Sequence, residues 1–166
     1  HRILLNSHDG CEDVKEMEEN DTGNTPNTIY KIGLLSTKGT RDTKIYHNAL
    51  EGLNCKQACT TNFACEIVCL PDHLQDKLSN AIYNKEYGIK AKSRPCVDPR
   101  VIEDMHTCCE YFINKHGCDI IILGCTELPL AFPATNSYEG RNGVTNVHLV
   151  DPVEILAKTY IREHIC

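Results

Sequence analysis

The stretch "CDIIILGCTELPLAF", Cys118 to Phe132, places four consecutive apolar residues directly before Gly-Cys-Thr-Glu. A short continuous apolar run that ends at a glycine is typical of a strand buried on both faces of a sheet. The thiol of Cys125, the hydroxyl of Thr126 and the carboxylate of Glu127 come directly after that run. The stretch therefore predicts a buried parallel strand with three chemically active side chains at its carboxyl end.

Two more apolar runs, at residues 30–37 and 64–71, predict further buried strands. Apolar residues at helical spacing predict helices between the strands. The helix before Cys118 has the clearest start and stop signals, because Asp98 and Pro99 are typical of a first turn and Gly117 is typical of a C-terminal cap. After a predicted loop over 135–146, a short strand leads into a final amphipathic helix. The order strand, helix, strand, two helices, two strands, helix predicts an α/β fold, a parallel sheet with helices on both faces.

Composition restricts the class of protein. The chain has 166 residues, 41% of them hydrophobic, and a net charge of −6, which is typical of a globular domain and unfavourable for nucleic-acid binding. No apolar run is long enough for a membrane span, and the N-terminus has no signal-peptide pattern. The eleven cysteines are odd in number and several lie in apolar runs, so we expect reduced thiols and a cytoplasmic location.

Polar motifs follow two of the predicted strands. "STKGT", with Thr37, Gly39 and Thr40, follows the first strand, and "GCTE" follows the third. Because ligands of parallel sheets bind beyond the carboxyl ends of the strands, we expect both motifs to line one crevice. The first motif suits a helix N-cap turn and also an anion-binding turn, and these two interpretations are compatible.

Four segments resemble the aspartate/glutamate racemase family: "KIGLLSTKGTRDTKIY", "AIYNKEYGIKAKSR", "CDIIILGCTELPLAF" and "HLVDPVEILAK". The likeness covers about residues 29–158. Gly-Cys-Thr-Glu after an apolar strand is quite specific to the family, whereas the Gly-Thr segment alone is a weak match. The resemblance implies a cofactor-independent, PLP-independent amino-acid racemase in which two thiol or thiol-like groups exchange a proton on opposite faces of the substrate Cα.

The resemblance also implies roles for single residues. Cys125 matches the second of the family's two thiols, and a position at a helix N-terminus would favour its thiolate. The residues expected to bind substrate carboxylates are Thr37, Gly39, Thr40, Lys90 and Thr126. Glu127 is also expected to bind substrate, with the alternative that it orients the loop or forms a salt bridge with a partner. Lys92 stands where the family usually has a glycine, which weakens the match around Lys90.

The first proton carrier of the family lies in a Cys-Asn-Thr-x-His or Thr-Asn-Thr stretch, and His1 looks like the last residue of such a stretch. We therefore expect the chain to be the C-terminal half of a two-domain protein. Residues 1–28 would be a remnant of the preceding domain plus an acidic flexible segment, 29–150 the racemase-like domain, and 151–166 a helix that packs on the missing half. The expected ligand is an acidic amino acid or dicarboxylate and the expected assembly a homodimer, with neither nucleic acid nor membrane as a partner.

Several alternatives stay open. Cys125 alone would more often be an inert core thiol. A relative with one thiol, such as a decarboxylase or a maleate-type isomerase, and a non-catalytic module that binds or dimerises are the competing functions. The spacing of Cys55, Cys59, Cys65 and Cys69 suggests zinc, but the last two lie in an apolar run, so we expect no metal. Tyr46 and Tyr83 fall on helix faces and are expected in the core.

Overall fold

The computed structural model describes residues 28–57, 63–91, 96–132, 137–140 and 146–165. The predicted N-terminal segment, up to residue 27, lies outside these ranges. The elements in chain order are β1 (Thr28–Ser36), α1 (Lys38–Asp42), α2 (Ile45–Gln57), β2 (Phe63–Cys69), α3 (Asp72–Tyr83), α4 (Pro99–His116), β3 (Ile120–Gly124), a 3₁₀ helix (Leu128–Ala131), β4 (Ser137–Glu139), β5 (Asn146–Val150) and α5 (Pro152–His164).

The strands form one mostly parallel sheet in the order β2-β1-β3-β5-β4. β1 pairs in parallel with both β2 and β3, and β3 pairs in parallel with β5. From β1 the chain moves to β2 on one side and returns to β3 on the other, so β1 and β3 flank the point where the winding reverses. The predicted α/β fold is confirmed, and this reversal is where such sheets bind ligands.

The predicted loop over 135–146 is wrong in part. Ser137–Glu139 forms the edge strand β4, which pairs antiparallel with β5 and buries the ring of Tyr138. A strand of three residues is too short to produce a period-2 pattern in the sequence. The antiparallel edge strand leaves the parallel core of the sheet unchanged.

The main hydrophobic core lies between the sheet and the helices α3 and α4. Its largest fully buried side chain is Phe112 of α4, whose ring packs on Gly33 of β1. A Cβ on Gly33 would lie 2.7 Å from Phe112 Cγ, so no other residue fits there without displacement. Other side chains of this core include Leu35, Leu78, Ile82, Val101, Met105, Ile121 and Val147.

The opposite face of the sheet carries α2. Asn54 of α2 exchanges two hydrogen bonds with the main chain of Cys65 in β2. The predicted single helix after β1 is instead two helices, α1 and α2, separated at Lys44, which has a φ of 54°. Ile45 and Leu53, both on the predicted apolar face of this helix, are 60% and 49% exposed.

Helix α5 contains no buried residue. Its predicted apolar stripe is present, but Val153, Leu156 and Tyr160 are 53%, 70% and 58% exposed. Separately, no helix within the described part of the chain combines the length and the hydrophobicity needed to cross a membrane. The seven cysteines whose side chains are described are all free thiols.

The N-terminus of α4 is capped as the sequence predicts. The carboxylate of Asp98 accepts a hydrogen bond from the main-chain N–H of Arg100 at 3.0 Å and also contacts its guanidinium. We expect Asp98→Ala to lower the free energy of unfolding by about 1 kcal/mol, as is usual for a lost N-cap. Urea denaturation of Asp98→Ala beside Asp98→Asn checks this, because asparagine keeps the cap acceptor. Equal losses in the two variants would contradict the capping role.

Candidate functional site

The two predicted motifs lie side by side at the carboxyl ends of neighbouring strands. Ser36, the last residue of β1, pairs with Gly124, the last residue of β3, so that Thr37 and Cys125 leave the sheet next to each other. The buried side chain of Gln75 donates a hydrogen bond to the Ser36 carbonyl at 2.9 Å. Helix α3 thereby fixes the position of this edge.

The turn after β1 is an N-cap. Thr37 Oγ1 accepts the main-chain N–H of Thr40 at 3.2 Å and lies 3.0 Å from Thr40 Oγ1. Gly39 and Thr40 line a cavity of about 640 Å³ together with Gly124 of the second motif. The capping interpretation of this turn is confirmed, and its carboxylate-binding role stays a prediction.

The second motif converges on one oxygen of Glu127. Glu127 Oε2 accepts hydrogen bonds from the Cys125 thiol at 3.1 Å and from the Thr126 hydroxyl at 2.8 Å. The ammonium group of Lys90 lies 3.4 Å from the same oxygen. Of the two roles left open for Glu127, this arrangement favours the one in which it orients the loop through a salt bridge.

Lys90 reaches the site because the chain folds back on the end of α3. The main-chain N–H of Ile89 donates to the Ala81 carbonyl at 2.9 Å, and that of Lys90 donates to the Ile82 carbonyl at 3.0 Å. Its ammonium group lies 5.1 Å from the ring centroid of Tyr83, which is exposed rather than in the core as predicted. Lys92 lies outside the described residues.

Opposing effects act on the thiol of Cys125. Partial burial raises the pKa of Cys125 above its usual range, and the Glu127 carboxylate also raises it, whereas the hydrogen bond from the Glu127 main-chain N–H and the charge of Lys90 lower it. The pKa of Glu127 is lowered, first by the hydrogen bond from Thr126 and then by that from Cys125. The element after the motif is a 3₁₀ helix of four residues, so it lacks the α-helical dipole that was expected. The net effect is a raised pKa for Cys125, so the thiolate is favoured less than an α-helix N-terminus would favour it, and the catalytic role of Cys125 stays a prediction.

Replacement of Glu127 and replacement of Lys90 by an uncharged residue should move the pKa of Cys125 in opposite directions. Glu127→Gln removes a negative charge, so the pH profile of Cys125 alkylation by iodoacetamide is expected to shift to lower pH. Lys90→Met removes a positive charge, so the profile is expected to shift to higher pH, because only the thiolate reacts. Peptide mass spectrometry measures both profiles, with the exposed thiol of Cys96 as internal reference. Shifts of the same sign in both variants would contradict the assigned charges.

The other described thiols differ sharply in accessibility. Burial raises the pKa of Cys108 to about 12 and that of Cys118 to about 11. Cys96 is exposed. We therefore expect Cys96 to be alkylated before Cys125 at neutral pH.

Tyr46 is the site residue that the sequence did not indicate. It was expected in the core, but it is half-buried and lines the same cavity as Thr40 and Gly124. A Cβ on Gly124 would lie 3.1 Å from Tyr46 Cε2, so the glycine leaves room for the ring. Helical spacing places Tyr46 on one face of a helix, and it does not distinguish a cavity wall from the core.

No cluster of three or more His, Cys, Asp or Glu side chains suited to a metal ion occurs among the residues that the structure describes. The described chemistry at this edge is therefore that of the thiol, the hydroxyls, the lysine and the carboxylate.

Comparison with known proteins identifies the family. No curated protein matches the chain significantly. The family model described as Asp/Glu/Hydantoin racemase matches residues 24–160, which include every described strand and both polar motifs. Since this match covers more than half of the sequence, the chain belongs to the Asp/Glu/hydantoin racemase family.

Proposed function

We propose that this chain is the C-terminal half of a cofactor-independent racemase of an acidic amino acid, with Cys125 as one of its two proton carriers. The observation that carries the proposal is the position of Cys125 directly after β3, next to the turn of Thr37 and Thr40 that follows β1. Membership of the racemase family supports the reaction class. A proton carried on a side chain needs no PLP.

In the proposed reaction, the resting thiol of Cys125 acts first as the acid. A base on the far face of the substrate breaks the Cα–H bond, and the electron pair remains on Cα and its carboxylate. Cys125 then gives its proton to Cα from the near face and becomes a thiolate. In the reverse direction the thiolate takes that proton back, so atoms and charge balance. The ammonium group of Lys90 stabilises the thiolate, while Glu127 opposes it.

Substrate carboxylates are proposed to bind on both sides of the thiol. Lys90 and Thr126 lie on one side, and the turn with Thr37, Gly39 and Thr40 lies on the other. A carboxylate that enters the site would compete with Glu127 for the ammonium group of Lys90, 3.4 Å away. The cavity lined by Gly39, Thr40 and Gly124 has a volume of about 640 Å³, within the range of about 300–1,000 Å³ that small-molecule sites span.

The proposal places the second proton carrier on another domain. Among the described thiols, that of Cys125 comes directly after β3, where the carboxyl ends of β1 and β3 lie side by side. Helix α5 buries none of its side chains, which supports a role in packing on that other domain. A homodimer and a cytoplasmic location complete the proposal, and the free thiols of the described cysteines support the location.

Deuterium exchange tests this function. The protein encoded at full length is incubated in D2O with L- or D-aspartate and with L- or D-glutamate, and mass spectrometry follows deuterium at Cα. Uptake together with formation of the opposite enantiomer supports the racemase. Absence of uptake from all four amino acids would reject it.

A one-thiol reaction is the second candidate. A single thiol that is protonated at rest also suits protonation from one face, as in decarboxylation of a malonate or isomerisation of maleate. Product analysis separates the two. A one-thiol enzyme would release CO2 from a substituted malonate or convert maleate to fumarate, and would leave the α-deuterium content of aspartate and glutamate unchanged.

A further inference from the structure

Tyr46 lies beside the candidate site but has no role in the reaction proposed above. It is the second residue of α2, and its half-buried side chain lines the cavity between the Thr37–Thr40 turn and Gly124. Because Gly124 lacks a Cβ, the Tyr46 ring approaches the main chain immediately before Cys125. The ring is thus a wall of the cavity that reaches Gly124, the residue directly before Cys125 in the chain.

The hydroxyl of Tyr46 is neutral and near two acidic groups. Burial raises its pKa, and the charges of Cys125 and Asp151 raise it further. Asp151 caps α5 at the carboxyl end of β5, the strand next to β3. The hydroxyl is therefore a hydrogen-bond donor at neutral pH, placed where the carboxyl ends of β3 and β5 meet α2.

Most other side-chain donors near Cys125 already have partners. The thiol, the Thr126 hydroxyl and the Lys90 ammonium group are all engaged by Glu127, and Thr37 and Thr40 contact each other. Tyr46 forms no side-chain hydrogen bond with any residue that the structure describes. The hydroxyl is not among the buried atoms that lack a partner, so water reaches it in the free protein and a ligand in the cavity would take the place of that water.

We propose that the Tyr46 hydroxyl donates a hydrogen bond to a carboxylate of the bound substrate and holds that carboxylate beside Cys125. This inference rests on the proposed function, because it assumes an acidic substrate. The ring and the hydroxyl have separate tasks. The ring shapes the cavity wall against Gly124, and the hydroxyl binds the ligand.

Protection of Cys125 from alkylation tests the proposal. The full-length protein is treated with iodoacetamide at about pH 8.5, where a larger fraction of the thiol is ionised, with increasing L-aspartate or succinate. Peptide mass spectrometry gives the concentration that halves the alkylation rate of Cys125. We expect Tyr46→Phe, which keeps the ring, to raise this concentration about tenfold, as for one lost hydrogen bond to a charged group. In the deuterium-exchange assay the same variant should raise KM more than it lowers kcat.

Tyr111→Phe is the matched control, because it removes a hydroxyl from a half-buried tyrosine of α4, across the sheet from α2, and should leave protection unchanged. An unchanged unfolding midpoint shows that Tyr46→Phe keeps the fold. Equal protection of wild-type protein and Tyr46→Phe would overturn the role of Tyr46 and leave the racemase proposal intact. Failure of both L-aspartate and succinate to protect the wild-type protein would also overturn it, whereas the racemase proposal is decided separately by deuterium exchange.

Discussion

Replacement of Cys125 by serine is expected to lower the rate of α-deuterium exchange about a thousandfold, within the usual range for loss of a general acid or base. A serine hydroxyl can still donate to Glu127, so the loop should keep its arrangement. The hydroxyl is a far weaker acid than the thiol, so it delivers a proton to Cα poorly. The exchange rates of the two proteins in D2O, at saturating substrate, measure the effect.

Cys96→Ser is the matched control for this substitution. It makes the same chemical change at an exposed thiol outside the site, and it should leave the exchange rate at the wild-type value. Circular dichroism and the unfolding midpoint establish that both variants are folded. A Cys125→Ser protein that keeps more than a tenth of the wild-type rate would show that another group carries the proton.

The sequence predicted those strands and helices correctly whose local signals, such as apolar runs and caps, agree with their burial in the fold. The apolar runs became parallel strands, and Asp98 and Gly117 cap α4 as expected. The edge strand β4 was missed because its three residues show no measurable period. The division of the helix after β1 into α1 and α2 was also missed, because no spacing rule detects the positive φ of Lys44.

The site was predictable to the extent that it depends on topology. The motifs after β1 and β3 had to meet, since neighbouring parallel strands end at the same edge, and Ser36 does pair with Gly124. Charge interactions within the loop were not predictable. The thiolate expected for Cys125 depended on a helix dipole, whereas the loop places the carboxylate of Glu127 3.1 Å from the sulfur. Distances of this kind follow from side-chain conformation, which residue spacing does not determine.

The largest expected loss of stability follows Phe112→Ala. Phe112 is fully buried in α4, and its ring lies between the helix and Gly33 of β1. Truncation removes the buried ring and leaves a cavity, so the free energy of unfolding should fall by about 3–5 kcal/mol. That is a large part of the roughly 5–15 kcal/mol that holds a typical domain folded. Urea denaturation of the full chain, beside Phe132→Ala as a half-buried aromatic control, measures the loss.

A double-mutant cycle with Gly33 tests whether the ring and the glycine form one packing unit. Gly33→Ala alone should destabilise the protein by about 1–3 kcal/mol, because its methyl group would lie 2.7 Å from Phe112 Cγ. In the Phe112→Ala background the same methyl group would enter the cavity that the ring leaves, so Gly33→Ala should there be neutral or stabilising. The two losses are thus expected to be strongly non-additive, as for residues in direct contact. Additive losses would mean that the strand moves away from α4 and that the close approach of Phe112 does not explain the glycine.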